Sequence, residues 1–160
     1  MKPLFQTIVV AVSGSEASIS ASKFAIVMAK QYRCRLVAVY VVDTATLKEL
    51  LLSRIFVEDE SFEYERSLEE NGQRYLNYIE ELAAKKGVAI EKVTRRGSVF
   101  SEIIHAAEEY EADLILLGGF EEKAGTRDVL SRQHRDILRN ARCSILVVKE
   151  PDVDFLYRKS

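Results

Sequence analysis

Apolar positions follow two alternating patterns along this chain. Gln6 to Ser13 (QTIVVAVS), Leu36 to Val42 (LVAVYVV), Asp113 to Gly119 (DLILLGG) and Cys143 to Val148 (CSILVV) are short, nearly unbroken aliphatic runs. Such runs predict strands buried on both faces, as in a parallel sheet. Val88 to Thr94 instead alternates apolar and polar residues, which predicts an edge strand with one exposed face. Between the runs the spacing becomes helical. Ala17, Ala21, Phe24, Ala25, Met28, Ala29 and Tyr32 form one stripe, predicting a helix to about Gln31 with Ser15 or Ser18 as its cap. Phe62 to Lys86 carries Leu68, Tyr75, Leu76, Ile79, Leu82 and Ala83 on one face and stops at Gly87. Val99, Ile103, Ala106, Ala107 and Tyr110 follow Ser98, a candidate N-cap, and Leu130, Ile137, Leu138 and Ala141 mark a last helix from Leu130 to Ala141.

Strand and helix thus alternate through five strands and four main helices, which predicts an α/β fold: an open parallel sheet with helices on both faces. One stretch fits less well. In Thr44 to Asp59 the residues Leu47, Leu50, Leu51, Ile55 and Phe56 have helical spacing, while Ser53, Arg54 and the acidic Glu58 to Glu60 break it. It reads as a short helix or a mobile flap whose apolar side covers a ligand crevice, a partner subunit or the core.

At 160 residues the chain is expected to be a single domain over 1–160, with a core of about 6–149, a flap of about 44–59 and a C-terminal tail over 151–160. The 23 basic and 25 acidic residues nearly balance, which argues against nucleic-acid binding. No apolar run is long enough to span a bilayer, and the opening MKPLFQTIVVAVSGSE turns polar too early for a signal peptide. A cytoplasmic location and no membrane contact are therefore expected. Cys34 and Cys143 each stand at the start of a buried run, without a C-x-x-C or a nearby histidine cluster. They read as reduced core thiols, and no metal site is expected.

In a sheet of this kind ligands bind where loops leave the carboxyl ends of the strands, so Gly118 to Arg132 forms one candidate wall. Arg95 and Arg96 at the end of a strand either solvate a loop or face an anion there. His105 and His134 have no carboxylate and nucleophile spaced for a triad, so no catalytic residue is assigned. Ser13-Gly14 ends the first strand where a phosphoacceptor would need acids, and no G-x-G-x-x-G follows a strand.

Four details narrow the reading: the turn Ser13-Gly14-Ser15-Glu16-Ala17-Ser18, the Gly97-Ser98 pair opening the third helix, Ala112 to Ile115 (ADLI), and Ala141 to Val148 (ARCSILVV). Together, from about Gln6 to Lys149, they resemble the universal stress protein family. The resemblance implies a five-stranded sheet in the order 3-2-1-4-5, of the adenine nucleotide alpha hydrolase-like class. It also implies a homodimer through the last strand: Cys143, Ser144, Ile145, Leu146, Val147 and Val148.

One branch of the family binds ATP, through a pattern of Gly, two residues, Gly, nine residues and then Gly-Ser or Gly-Thr after the fourth strand, with an Asp after the first. Glycines there let backbone N–H groups approach phosphate oxygens. In this chain Gly118 holds the first position, Glu121 stands at the second glycine, Ser131-Arg132 at Gly-Ser, and Ser13 at the Asp. These departures imply loss of the usual ATP affinity. Gly119, and the arginines Arg127, Arg132 and Arg135, leave an altered anion site open. The family's adenine wall maps onto Val12, Ser13 and Val41, and Arg96 and Arg127 are the candidate anion contacts.

Three readings follow. The first is a cytoplasmic, dimeric stress-response binding protein that regulates without turnover and holds no assured cofactor. The second is an adenine-nucleotide switch or slow ATP hydrolase using Val12, Ser13, Val41, Gly118, Gly119, Ser131 and Arg132. The third is a dimeric interaction module that offers the flap and the tail residues Phe155, Leu156 and Tyr157 to a protein partner.

Overall fold

The computed structural model describes residues 2–119 and 132–160. Five strands, β1 (Thr7–Val12), β2 (Arg35–Asp43), β3 (Ile90–Gly97), β4 (Leu114–Gly118) and β5 (Ser144–Val148), form one sheet in the order β3-β2-β1-β4-β5. Every pairing is parallel. The helices are α1 (Glu16–Tyr32), α2 (Thr44–Leu52), α3 (Glu58–Ala84), α4 (Val99–Glu109), α5 (Arg132–Asn140) and α6 (Val153–Lys159). The strand count is that read from the sequence, and the order is that implied by the family resemblance.

The unbroken aliphatic runs become β1, β2 and β4 because both faces of the sheet are covered. Ile8, Val10, Ala38, Leu114 and Leu116 pack under α1 and α3 against Ile26, Leu76 and Ile79. Val9, Val37, Val39, Ile115 and Leu117 pack on the other face against Ile103, Ala106 and Ile137 of α4 and α5. Burying each Leu or Ile in such a layer contributes about 1.5–3 kcal/mol, so the two layers hold the sheet.

Several boundaries differ from the expected ones. Of the two forms expected of Thr44 to Asp59 the structure has the short helix: α2 is anchored by buried Leu47, and Asp43 caps it by accepting from the N–H of Thr46 at 3.0 Å. Arg54, with φ of 57°, ends that helix, and the N–H groups of Arg54 and Ile55 donate to Leu51 and Leu50 at 3.1 and 3.0 Å. This is a Schellman turn. The helix α3 then begins at Glu58, earlier than expected, with Glu58, Asp59 and Glu60 in its first turn, where the helix dipole favours acids. The expected tail over 151–160 is helical and docked on the fold. It forms α6, in which Val153 is buried and Tyr157 donates from its hydroxyl to the carbonyl of Leu82 at 2.7 Å. Cys143 lies just before β5 and is not part of it. Ser98 holds the N-cap position of α4 but makes no side-chain cap bond. Both thiols are half-buried and unpaired with each other, and burial raises their pKa, so they stay protonated near neutrality.

Candidate functional site: the crevice at the carboxyl ends of β1 and β4

The chain passes from β1 to β2 over the α1 face, and from β3 back to β4 over the α4 face. The winding direction therefore reverses between β1 and β4, and the crevice opens there. Its floor is the turn after β1, its far wall the exit of β4.

The β1–α1 turn is built from serines. Ser15 caps α1, its Oγ accepting from the N–H of Ser18 at 3.1 Å. The N–H of Ser13 donates to Ser18 Oγ at 2.6 Å, and the N–H of Ser15 donates to Ser13 Oγ at 3.4 Å. Ser13 and Ser15 also share a hydroxyl contact at 3.1 Å. Three of the turn's backbone donors are thus taken by hydroxyls of the same turn. An anion nest needs such donors aimed outward, so this turn offers an anion less than its glycine and serine content suggests.

Gly118 ends β4 against the first turn of α1. A Cβ there would lie 2.7 Å from the carbonyl carbon of Ala17 and 2.9 Å from the N of Ser18. A Cβ on Gly119 would lie 2.7 Å from the carbonyl oxygen of Val148. Both glycines are therefore required by packing. His134 of α5 lies with Nε2 2.9 Å from the carbonyl oxygen of Gly118. Because a carbonyl only accepts, that bond needs the proton on Nε2. This part-buried histidine ties α5 to the crevice wall. Beside it, Gln133 accepts from the N–H of Phe100 at 3.1 Å, and Arg132 is exposed at the start of α5. Phe120 to Ser131 lie outside the described residues, and with them Arg127, Ser131, Glu121 and Glu122.

Side-chain parity corrects two expected contacts. The register Val12↔Tyr40 continues one step to set Ser13 beside Val41. Val12 itself belongs to the core on the α1 and α3 face, whereas Val41 belongs to the α4 and α5 face. Val12 and Val41 therefore cannot form one wall; Ser13 and Val41 can. Arg96 lies at the end of β3, as expected, opposite Val42. Its guanidinium is bound by Glu65 and by Glu69, the latter at 2.7 Å, and the Glu69 bond is the main cause of its raised pKa. Arg96 is thus committed to α3 and does not face the crevice. Arg95 points to the other face and pairs with Glu109 at the far end of α4.

Sequence reasoning missed a tyrosine pair behind the turn. Tyr40 and Tyr75 contact at 6.2 Å between ring centroids. A Cβ on Gly72 would enter the Tyr40 ring, and a Cβ on Gly14 would lie 2.5 Å from the Tyr75 hydroxyl oxygen. The available signal was Gly72 itself, a glycine inside a long helix with no cap to form, which marks a close approach. Burial, then the neighbouring Tyr75, raises the Tyr40 pKa, so Tyr40 is a packed neutral phenol.

Among the described residues no group of three His, Cys, Asp or Glu is placed to hold a metal ion. No helix among them is long and apolar enough to cross a membrane.

The pattern of the Universal stress protein family matches residues 4–149. A universal stress protein of Methanocaldococcus jannaschii is 33% identical over 155 residues, which cover 92% of this chain and 84% of that one. A crystal structure of a universal stress protein family member from Burkholderia pseudomallei superposes with a TM-score of 0.72 at 25% identity, covering 94% of this chain and all of that one. The same fold appears, at 18% identity and a TM-score of 0.61, in a universal stress protein of Archaeoglobus fulgidus in complex with dAMP, covering 92% of this chain and all of that one. It appears again, at 19% identity and a TM-score of 0.62, in a universal stress protein in complex with cAMP, covering 90% of this chain and 96% of that one. With the β3-β2-β1-β4-β5 sheet and the matched span from residue 4 to residue 149, this chain belongs to the universal stress protein family.

Proposed function

We propose that this chain is a regulatory stress-response binding protein that works without turnover and without a strong grip on a nucleoside triphosphate. The observation that carries this reading is the β1–α1 turn, whose donors at Ser13, Ser15 and Ser18 are already bonded within the turn. The commitment of Arg96 to Glu65 and Glu69 supports it, because a triphosphate needs cations that this arginine no longer supplies. The substitutions Glu121 and Ser131 in the family's glycine positions point the same way. In this proposal the protein is cytoplasmic and forms a homodimer along β5, the edge strand beyond β4.

A second reading, an adenine-nucleotide switch at an altered site, is favoured by relatives of the same fold solved with dAMP and with cAMP. Ser13 and Val41 would then face the nucleotide across from Gly118 and Gly119. The two readings separate when the purified protein is denatured in acid and the released small molecules are chromatographed. The first expects no stoichiometric nucleotide; one adenine nucleotide per chain would replace it with the second.

A further inference from the structure

Ten large apolar residues are exposed among the described residues, and five of them fall on one corner, where α2 turns into α3. Leu52 is 76% exposed, Ile55 65%, Val57 60% and Phe62 70%, and Tyr64, on another side of α3 from Phe62, packs against Phe56. The others, such as Leu4, Tyr32, Leu138 and Phe155, are scattered over other elements. Single exposed apolar residues need no explanation, whereas a cluster does. The corner is also held in shape. The Schellman bonds from Arg54 and Ile55, a further bond from the N–H of Phe56 to Leu50 at 3.2 Å, and an edge contact between Phe56 and Tyr64 at 5.6 Å fix the turn. Apolar side chains presented on a fixed turn lose little freedom when a partner covers them.

Charge around the corner selects the partner. Residues 52–66 carry five acids, Glu58, Asp59, Glu60, Glu63 and Glu65, against Arg54 and Arg66. Glu65 is bound to Arg96 and Arg66 to Glu70. No described residue forms an ion pair with Glu58, Asp59, Glu60 or Glu63. An apolar surface with an acidic rim is complementary to an amphipathic segment that combines apolar anchors with Lys or Arg, and it repels an anionic lipid surface. We propose that the α2–α3 corner docks a basic amphipathic helix of a partner protein, with Ile55 and Phe62 as the main anchors and Glu58, Asp59, Glu60 and Glu63 setting its charge preference. The corner does not include the crevice residues Ser13, Val41, Gly118 and Gly119, so the proposal stands whether or not the crevice holds a nucleotide.

The test uses the full chain and a fluorescein-labelled synthetic helix of alternating Leu and Lys faces, with a control in which every Lys is Glu. Anisotropy titrations should show saturable binding of the basic peptide, weakened about tenfold or more in Ile55→Ser/Phe62→Ser at unchanged protein charge, and weakened similarly by Glu60→Lys/Glu63→Lys. Because Ile55 and Phe62 are exposed, Ile55→Ser/Phe62→Ser should keep the wild-type circular dichroism and unfolding midpoint. Equal binding of the acidic peptide, or basic-peptide binding untouched by Ile55→Ser/Phe62→Ser, overturns the proposal. Flotation with phosphatidylserine vesicles that needs Ile55 and Phe62, or self-association lost in the same variant, in the absence of peptide binding, overturns it in favour of a membrane or of a second copy of this chain.

Discussion

Gly118 and Ala17 meet through their backbones: a Cβ on Gly118 would lie 2.7 Å from the carbonyl carbon of Ala17. The glycine that the family pattern associates with phosphate therefore has a packing duty in the fold. Gly118→Ala has to push β4 away from the start of α1, a shift of backbone against backbone. Overpacking of that kind costs about 1–3 kcal/mol. Urea unfolding should show a lower midpoint with an unchanged slope, and a midpoint equal to wild type would refute the packing duty.

Gly72 and Tyr40 give a second steric prediction. Alanine at position 72 would gain roughly 1 kcal/mol of helix propensity, but its Cβ would enter the Tyr40 ring. The ring is nearly buried and has little room to retreat, so Gly72→Ala should destabilise by about 1–3 kcal/mol. In Tyr40→Val the same alanine should be neutral or favourable. A double-mutant cycle reads this coupling directly, and additive effects would show that the ring moves freely.

Three helix ends carry a side chain where the backbone is left-handed: Arg33, Arg54 and Glu111, with φ of 54°, 57° and 53°. Gly87 fills the equivalent place after α3, with φ of 72° and nothing near its missing Cβ. Glu111→Gly should therefore stabilise by about 1 kcal/mol, and Gly87→Ala should destabilise by a similar amount. Thermal unfolding of the two variants checks both signs; a stabilising Gly87→Ala would contradict the strain argument.

Asp113 clamps the start of β1 to the start of β4. Its carboxylate accepts from the N–H of Gln6 at 2.7 Å and of Thr7 at 3.0 Å, while its own N–H donates to Thr7 at 2.8 Å. The bonds from Thr7 and Gln6 hold its pKa below the usual 3.8. A depressed folded pKa means that the stabilisation is complete above the unfolded value and is lost as pH falls through the folded one. Asp113→Asn should thus cost about 1 kcal/mol at pH 7, with the gap from wild type closing below pH 4 or so. A gap that stays constant down to acid unfolding would assign the effect to something other than the charge.

The dimer is tested at β5. Val147 is half-buried on an edge strand, and a lysine there blunts strand pairing. Sedimentation should give a dimer for the wild type and a folded monomer for Val147→Lys; a wild-type monomer would remove β5 pairing from the account.

The open parallel sheet and its five strands were legible because buried parallel strands and amphipathic helices leave opposite periodicities in the chain, whereas the strand order came only with the family resemblance. The site was less legible, for reasons that concern particular residues. Arg95 and Arg96 read as strand-end charges that solvate a loop or face an anion, because their partners, Glu109 on α4 and Glu65 and Glu69 on α3, are set by the fold and not by local spacing. Val12 was placed with Val41 because strand parity across β1 and β2 depends on a register that only the pairing reveals. His134 gave no signal, since its partner is a backbone carbonyl at Gly118. The α2 stretch was left open between a short helix and a flap, and α6 was read as a tail, because each is short and anchored by few residues, Leu47 in one and Val153 in the other.

In the proposed function the serine-bonded turn and the altered glycine positions leave no strong triphosphate site. Calorimetric titration of ATP, with and without Mg²⁺, into nucleotide-stripped protein tests it most directly. The account predicts no saturable heat up to about 1 mM ATP, corresponding to binding weaker than roughly 4 kcal/mol. Micromolar binding that is abolished by Ser13→Trp in the exposed mouth of the crevice would contradict it.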